Sequence, residues 1–144
     1  MCLATVTPMM FRRETCKIEQ ANGYLAMKGS IRGTEDHHEF HQHKTGHSGV
    51  DYSKFFYSPL RQVGTHVWRL SQYLKQHRID TWIQGVVFFS HPEAEVNVKS
   101  QHIPVFSYQG GEESLLHYIV HFGSHGLSEH RQRDIVALIV STFS

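Results

Sequence analysis

The chain has 144 residues, 40% hydrophobic and 19% charged, enough for one compact domain with a moderate core that needs no disulfide or metal to fold. A formal net charge of +1 excludes the overall basic excess that announces a nucleic-acid binder but leaves room for a local patch, and thirteen histidines add positive charge as pH falls through about 6.5. Cys2 and Cys16 have no metal-type spacing and make no secreted disulfide framework, so a reducing cytoplasm is expected; no apolar run reaches the roughly 20 residues that span a bilayer, and residues 1–13 place their arginines after the apolar stretch, the reverse of a signal peptide.

The first elements are the hardest to read. Residues 1–10 show no clear period. Residues 23–31 hold Tyr24, Leu25, Met27 and Ile31 and suggest a short strand with weak alternation. Residues 35–44 are polar and rich in histidine, and Thr45-Gly46-His47-Ser48-Gly49 is a loop. Aromatic residues follow at Tyr52, Phe55, Phe56 and Tyr57. The middle is clearer. Ser58 is a plausible N-cap and Pro59 suits a first helical turn. Leu60, Val63, Val67, Leu70 and Leu74 then recur at spacings of three and four, one apolar stripe on a helix from about 59 to 76. Gln62, His66, Arg69 and Tyr73 mark a polar side that can face a cleft.

Residues 81–90 are β-branched and aromatic and read as a buried strand ended by His91-Pro92. Ala94, Val96 and Val98 alternate with Glu95, Asn97 and Lys99, a half-buried strand, and 103–108 make a third short one. Gly110-Gly111 breaks the chain, and two helices close it, at about 112–122 and 128–143, with Ser128 as N-cap. Ile135, Leu138, Ile139 and Thr142 line one face of the last. Strands, helix, strands, helices in that order predict an α/β domain with a mixed β-sheet flanked by helices.

Four segments in sequence carry a resemblance. Glu14-Thr15-Cys16-Lys17 is followed by Gly23-Tyr24-Leu25. Tyr57-Ser58-Pro59-Leu60-Arg61-Gln62 opens the middle helix. Gln84-Gly85-Val86-Val87-Phe88-Phe89 leads to Pro92-Glu93-Ala94-Glu95, and Leu127-Ser128 precedes the final helix. Together, over residues 14–143, they resemble the NERD (nuclease-related) domain family, which is similar to the PD-(D/E)xK nucleases. The resemblance implies a partial restriction-endonuclease-like fold and Mg²⁺-dependent hydrolysis of phosphodiesters in DNA processing. In that superfamily an Asp and a following Glu-x-Lys hold the metal and assist the attacking water. Magnesium takes oxygen ligands, and the metal offsets charge on the scissile phosphate. Carried over, Glu14 is the metal ligand, Lys17 assists water and Gln62 orients the site.

The sequence departs from that pattern twice. Residues 1–13 contain no Asp or Glu, so the first ligand has no counterpart there. Glu14 and Lys17 are three apart, which in a regular strand puts them on opposite faces unless a bulge at Cys16 restores them; Thr15-Cys16-Lys17 keeps the spacing but loses the carboxylate. The expectation is a truncated or degenerate copy, with 1–13 outside the family fold or disordered and 14–144 the NERD-like domain. Its active site is incomplete and hydrolysis impaired, and the alternative is a non-catalytic module that binds nucleic acid or a partner.

Each candidate has a plainer reading. Glu14 and Lys17 also suit a surface salt pair, and Gln62 an exposed helix glutamine. Lys44, Lys54, Arg61, Arg69 and Lys75 with Tyr52 and Phe55 suit a nucleic-acid surface, with Lys44, Arg61 and Arg69 as the leading phosphate contacts; in the plainer reading Phe55 and Phe56 are core. His37, His38, His41 and His43 could hold zinc, or could belong to a solvated polar strand with Asp36 and Glu39. DNA is the expected partner, a protein partner or homo-oligomer is open, and no membrane partner is expected.

Overall fold

The computed structural model describes residues 2–6, 29–46, 48–121 and 128–143. In chain order the elements are β1 (Cys2–Val6), β2 (Gly29–Thr34), β3 (Glu39–Thr45), β4 (Asp51–Tyr57), α1 (Pro59–Gln76), β5 (Ile83–Phe89), β6 (Ala94–Lys99) and β7 (Val105–Ser107). A 3₁₀ turn (Tyr108–Gly110) then leads to α2 (Glu112–His121) and α3 (Glu129–Phe143). The expected α/β class holds: strands of mixed direction with three helices among the described residues, consistent with a nuclease-like fold. The strands form two sheets. One is three-stranded and parallel, in the order β1-β5-β7; the other is four-stranded and mixed, in the order β4-β3-β2-β6. In the second, β2 runs parallel to β6 and antiparallel to β3, and β3 pairs antiparallel with β4.

Helix α1 forms as its sequence predicts. Ser58 is fully buried and its Oγ accepts from the Arg61 N–H at 3.4 Å, satisfying one donor that the first turn leaves open. Pro59 follows, where its missing N–H costs nothing. Leu60, Val63, Leu70 and Leu74 are buried, each worth about 1.5–3 kcal/mol relative to exposure. At the far end the Ile79 N–H donates to the Leu74 carbonyl and the Arg78 N–H to that of Lys75, with Arg78 left-handed at φ 61°.

The stripe of α1 joins two clusters. Its first half meets Val87 and Phe89 of β5 together with Ile31, Phe40 and Ala94 from the inner face of the four-stranded sheet. Its second half meets Ile79, Ile83 and Ile135, so α3 closes the other end. The predicted face of α3 is the one used: Leu138 and Ile139 pack beside Ile135, and Thr142 bonds the Tyr73 hydroxyl. Tyr73 therefore faces α3 rather than a cleft.

Strand β5 is the centre of the parallel sheet and is covered on both faces, which is why its sequence is a continuous apolar run. Gly85 permits the helix to lie on it: a Cβ there would stand 2.3 Å from Val63 Cγ1 and 3.1 Å from Val67 Cγ2. In the other sheet a Cβ at Gly33 would stand 2.3 Å from the Phe40 ring, so the missing side chain makes room for a buried phenyl group.

One local expectation, Phe55 as a core residue, needs correction. The strand suggested at 23–31 is described only from Gly29, where β2 begins; residues 23–28 lie outside the described residues. The polar stretch after it is a strand, β3, because Phe40 and the buried Gln42 supply an inner face that the histidines around them conceal. Phe56 packs against the core, with its ring edge-on to Phe40, whereas Phe55 points outward. Strand side chains alternate, so two adjacent aromatics cannot share a core face.

Candidate nucleic-acid interface

Two places carry the residues of interest. The first is the carboxyl end of the parallel sheet. Leu60 packs with Phe89 and Leu74 with Ile83, so α1 runs antiparallel to β5 and its first turn lies at the carboxyl end of that strand. Strand β1 is parallel to β5, with Val6 opposite Val87, and so ends at the same side. Crevices at the carboxyl ends of parallel strands are the usual ligand sites of α/β sheets. Gln62, half-buried in the first turn of α1, stands at that end. Glu14 and Lys17 lie outside the described residues.

The three predicted phosphate contacts do not form one patch. The Arg61 side chain donates to the carbonyls of His37, at 3.3 Å, and Asp36, at 3.2 Å, and so ties α1 to the turn between β2 and β3. Arg69 is exposed on α1, about 10 Å further along the helix from Gln62. Lys44 lies near the far end of β3, roughly 17 Å of strand from Glu39, with its ammonium 4.9 Å from the centre of the Tyr52 ring.

The second place is the outer face of the four-stranded sheet. The pairing registers set Phe55 beside His41, His41 beside Arg32 and Arg32 beside Asn97, one row across all four strands. A neighbouring row holds Tyr57 and Glu39 on one side and Thr34 and Lys99 on the other. The face encloses an open cleft of about 360 Å³, to which Arg32, His37, His41, Phe55, Asn97 and Lys99 contribute. The His41 ring lies 5.0 Å from that of Phe55, at 43°, and its Nε2 bonds the Ser53 hydroxyl. The side chains of Arg32 and Lys99 are exposed and make no ion pair among the described residues.

Glu35 shapes one wall. Its carboxylate accepts from the Gln101 N–H at 2.8 Å and meets His102 Nδ1 at 2.9 Å, holding the loop after β6 against the end of β2. The Gln101 N–H, with the His102 ring and N–H behind it, keeps the Glu35 carboxyl below the usual carboxylate range despite the opposing effect of burial.

The described residues do not make a metal site: no three His, Cys, Asp or Glu side chains among them gather closely enough to hold an ion. The histidine cluster is dispersed. His37 and His41 line the cleft, while His43 turns to Asp51 at 3.8 Å. No helix among the described residues is long and apolar enough to cross a membrane.

A model of the nuclease-related domain (NERD) family matches residues 19–90, half of the chain. The chain belongs to the nuclease-related domain family. The match takes in β2 to β5 and the whole of α1, and with it the positions of Arg61 and Gln62; it begins after Glu14 and Lys17 and ends before β6. No curated protein and no solved structure matches the chain. Arg32, Lys99 and Asn97 escaped the sequence reading as site residues. The alternation of β6 put Asn97 and Lys99 on an outward face, but only the strand register places them beside Arg32 and Phe55.

Proposed function

We propose that this chain is a NERD module of DNA processing, running from about residue 14 to 144, in which binding of nucleic acid is retained and Mg²⁺-dependent phosphodiester hydrolysis is impaired. The observation that carries the reading is the extent of the family match. It covers the scaffold and Gln62 but starts beyond Glu14 and Lys17, the two residues whose spacing already departs from Glu-x-Lys. A nuclease needs two carboxylates and a lysine at one point; a binding module needs only the scaffold and its cations. Gln62 and the first turn of α1 form the part of the catalytic end that this chain keeps. Exposed Arg69, Arg32 and Lys99 supply charges for phosphate contacts.

Binding is tested by titrating labelled single-stranded and duplex DNA with the full chain in EDTA at rising salt. The expected result is metal-independent binding that weakens as salt rises, because each phosphate contact releases counterions. Absence of binding at low salt by a folded sample overturns the reading.

A further inference from the structure

We infer that the outer face of the four-stranded sheet is a platform for single-stranded nucleic acid, on which Phe55 and Tyr57 stack bases and Arg32 and Lys99 hold phosphates. The inference rests on the nucleic-acid reading above and gives it a site and a strand form.

The aromatic residues are the first observation. Phe55 is 67% exposed and Tyr57 55% exposed, and their registers with His41 and Glu39 place them on the outer face of the sheet. An exposed phenyl group forgoes the roughly 1.5–3 kcal/mol that burial would give it. Next to it, Phe56 takes the core position on the same strand, so packing does not require an aromatic residue at 55. The Phe55 ring is also held in place: His41 lies against it and is itself fixed by Ser53. A pre-positioned, solvent-facing aromatic ring is what a base needs for stacking, and every base has a face to offer.

The charges are the second. Arg32 sits in the same row, and Lys99 in the next, both without an ion pair among the described residues. Glu39 lies between Tyr57 and Thr34. Glu95 and Asp51 carry negative charge at the opposite end of the face, with His43 beside Asp51. The cationic and aromatic residues thus lie together around one acid, Glu39, which also lines the cleft, and the other acids stand at the far end of the face. Asn97, beside Arg32, supplies an amide that both donates and accepts, suited to a base edge.

Geometry selects the strand form. From β4 to β6 the face is about 14 Å across, three inter-strand spacings. A four-stranded sheet of that kind accommodates about two or three splayed bases. A duplex keeps its bases stacked on one another and offers the face only its backbone, so Phe55 and Tyr57 would have no partner in it.

The test uses the full chain in EDTA, a short labelled oligothymidylate, a duplex of equal length and fluorescence anisotropy. The single strand is expected to bind more tightly than the duplex. Phe55→Ala should weaken single-strand binding about tenfold with an unchanged salt dependence, and Phe55→Trp should restore it. Arg32→Ala should weaken binding and flatten the slope of log K against log salt by about 0.7. Both side chains are exposed, so circular dichroism should show all variants folded. Equal binding of single strand and duplex, insensitive to Phe55→Ala, overturns the platform while the nucleic-acid reading stands. Failure to bind either form overturns both. A Phe55-dependent dimer without oligonucleotide binding assigns the face to a second copy of the chain and likewise overturns the inference.

Discussion

Gly85→Ala is the sharpest test of how α1 sits on the parallel sheet. Glycine in a strand is ordinarily a weakness, and alanine at an unstrained position stabilises by about 0.4–1 kcal/mol through the unfolded chain. Here the new methyl group would stand 2.3 Å from Val63 Cγ1 and 3.1 Å from Val67 Cγ2. Carbon atoms in contact prefer about 3.5–4.0 Å, so the helix must retreat by about 1.2 Å or Val63 must leave its rotamer. A valine on a helix has essentially one rotamer, and Val63 is fully buried, so the helix moves. That opens gaps against Val87 and Phe89, and a gap of 0.5–1 Å already forfeits about a quarter to a half of the contact energy. Overpacking of this kind costs about 1–3 kcal/mol, which, set against that gain, leaves a net loss of about 1 kcal/mol and a fall in Tm of about 4 °C. Urea unfolding of the single variants and of Gly85→Ala with Val63→Ala reads it. Once Val63 loses its γ carbons, Gly85→Ala should cost little, a coupling of about 1–2 kcal/mol. A stabilised Gly85→Ala, or strict additivity in the double variant, would refute the packing argument.

Other outcomes follow from single contacts. Ser58→Ala removes the cap of α1 and should cost about 1–2 kcal/mol in urea unfolding; a change of only a few tenths would mean that the cap contributes little. Arg78→Gly relieves a left-handed backbone at the end of α1 and should raise stability by about 1 kcal/mol, and a loss would show that the arginine side chain matters there. Glu35→Gln should lower stability by about 1 kcal/mol at neutral pH, because hydrogen bonds from Gln101 and His102 to a carboxylate are weakened. The folded-state pKa of Glu35 is lowered, so its contribution is present above the ordinary glutamate value and is lost as pH falls through the lowered one. The gap between variant and wild type should therefore close on acidification, and a gap that widens in acid contradicts the assignment. Thr15→Glu restores a Glu-x-Lys spacing with Lys17 but not the carboxylate that precedes it, so Mn²⁺-dependent cleavage should stay at the wild-type level; a clear rise would mean that spacing alone limits this chain.

What the sequence made legible was set by periodicity. Leu60 to Leu74 at spacings of three and four, with Ser58 and Pro59 before them, placed α1 at its observed bounds. The apolar run of β5 and the alternation of β6 were equally plain, since a strand covered on both faces and one covered on a single face leave different patterns. Strand β3 was obscure because its inner face is Phe40, a buried glutamine and Lys44, and no hydropathy pattern marks a glutamine that is 2% exposed. Two adjacent aromatics at 55 and 56 both looked like core, although a strand must turn one of them outward. The outer face of the sheet was illegible for a further reason: Phe55, Arg32 and Asn97 are far apart in sequence and meet only through register, which no local pattern encodes. The family resemblance, by contrast, rested on the order of several weak motifs, and the matched span includes the two that frame α1, from Tyr57-Ser58-Pro59 to the β5 strand.

The most direct measurement is a time course of single- and double-stranded DNA with the full chain in Mg²⁺ or Mn²⁺, beside Lys17→Ala, with both proteins shown to be folded. Cleavage no faster than that of Lys17→Ala, from a protein that binds the same DNA in EDTA, is the expected result. Metal-dependent cleavage that Lys17→Ala abolishes would mean that the motif assembles despite its spacing, and would contradict the impaired site proposed for this chain.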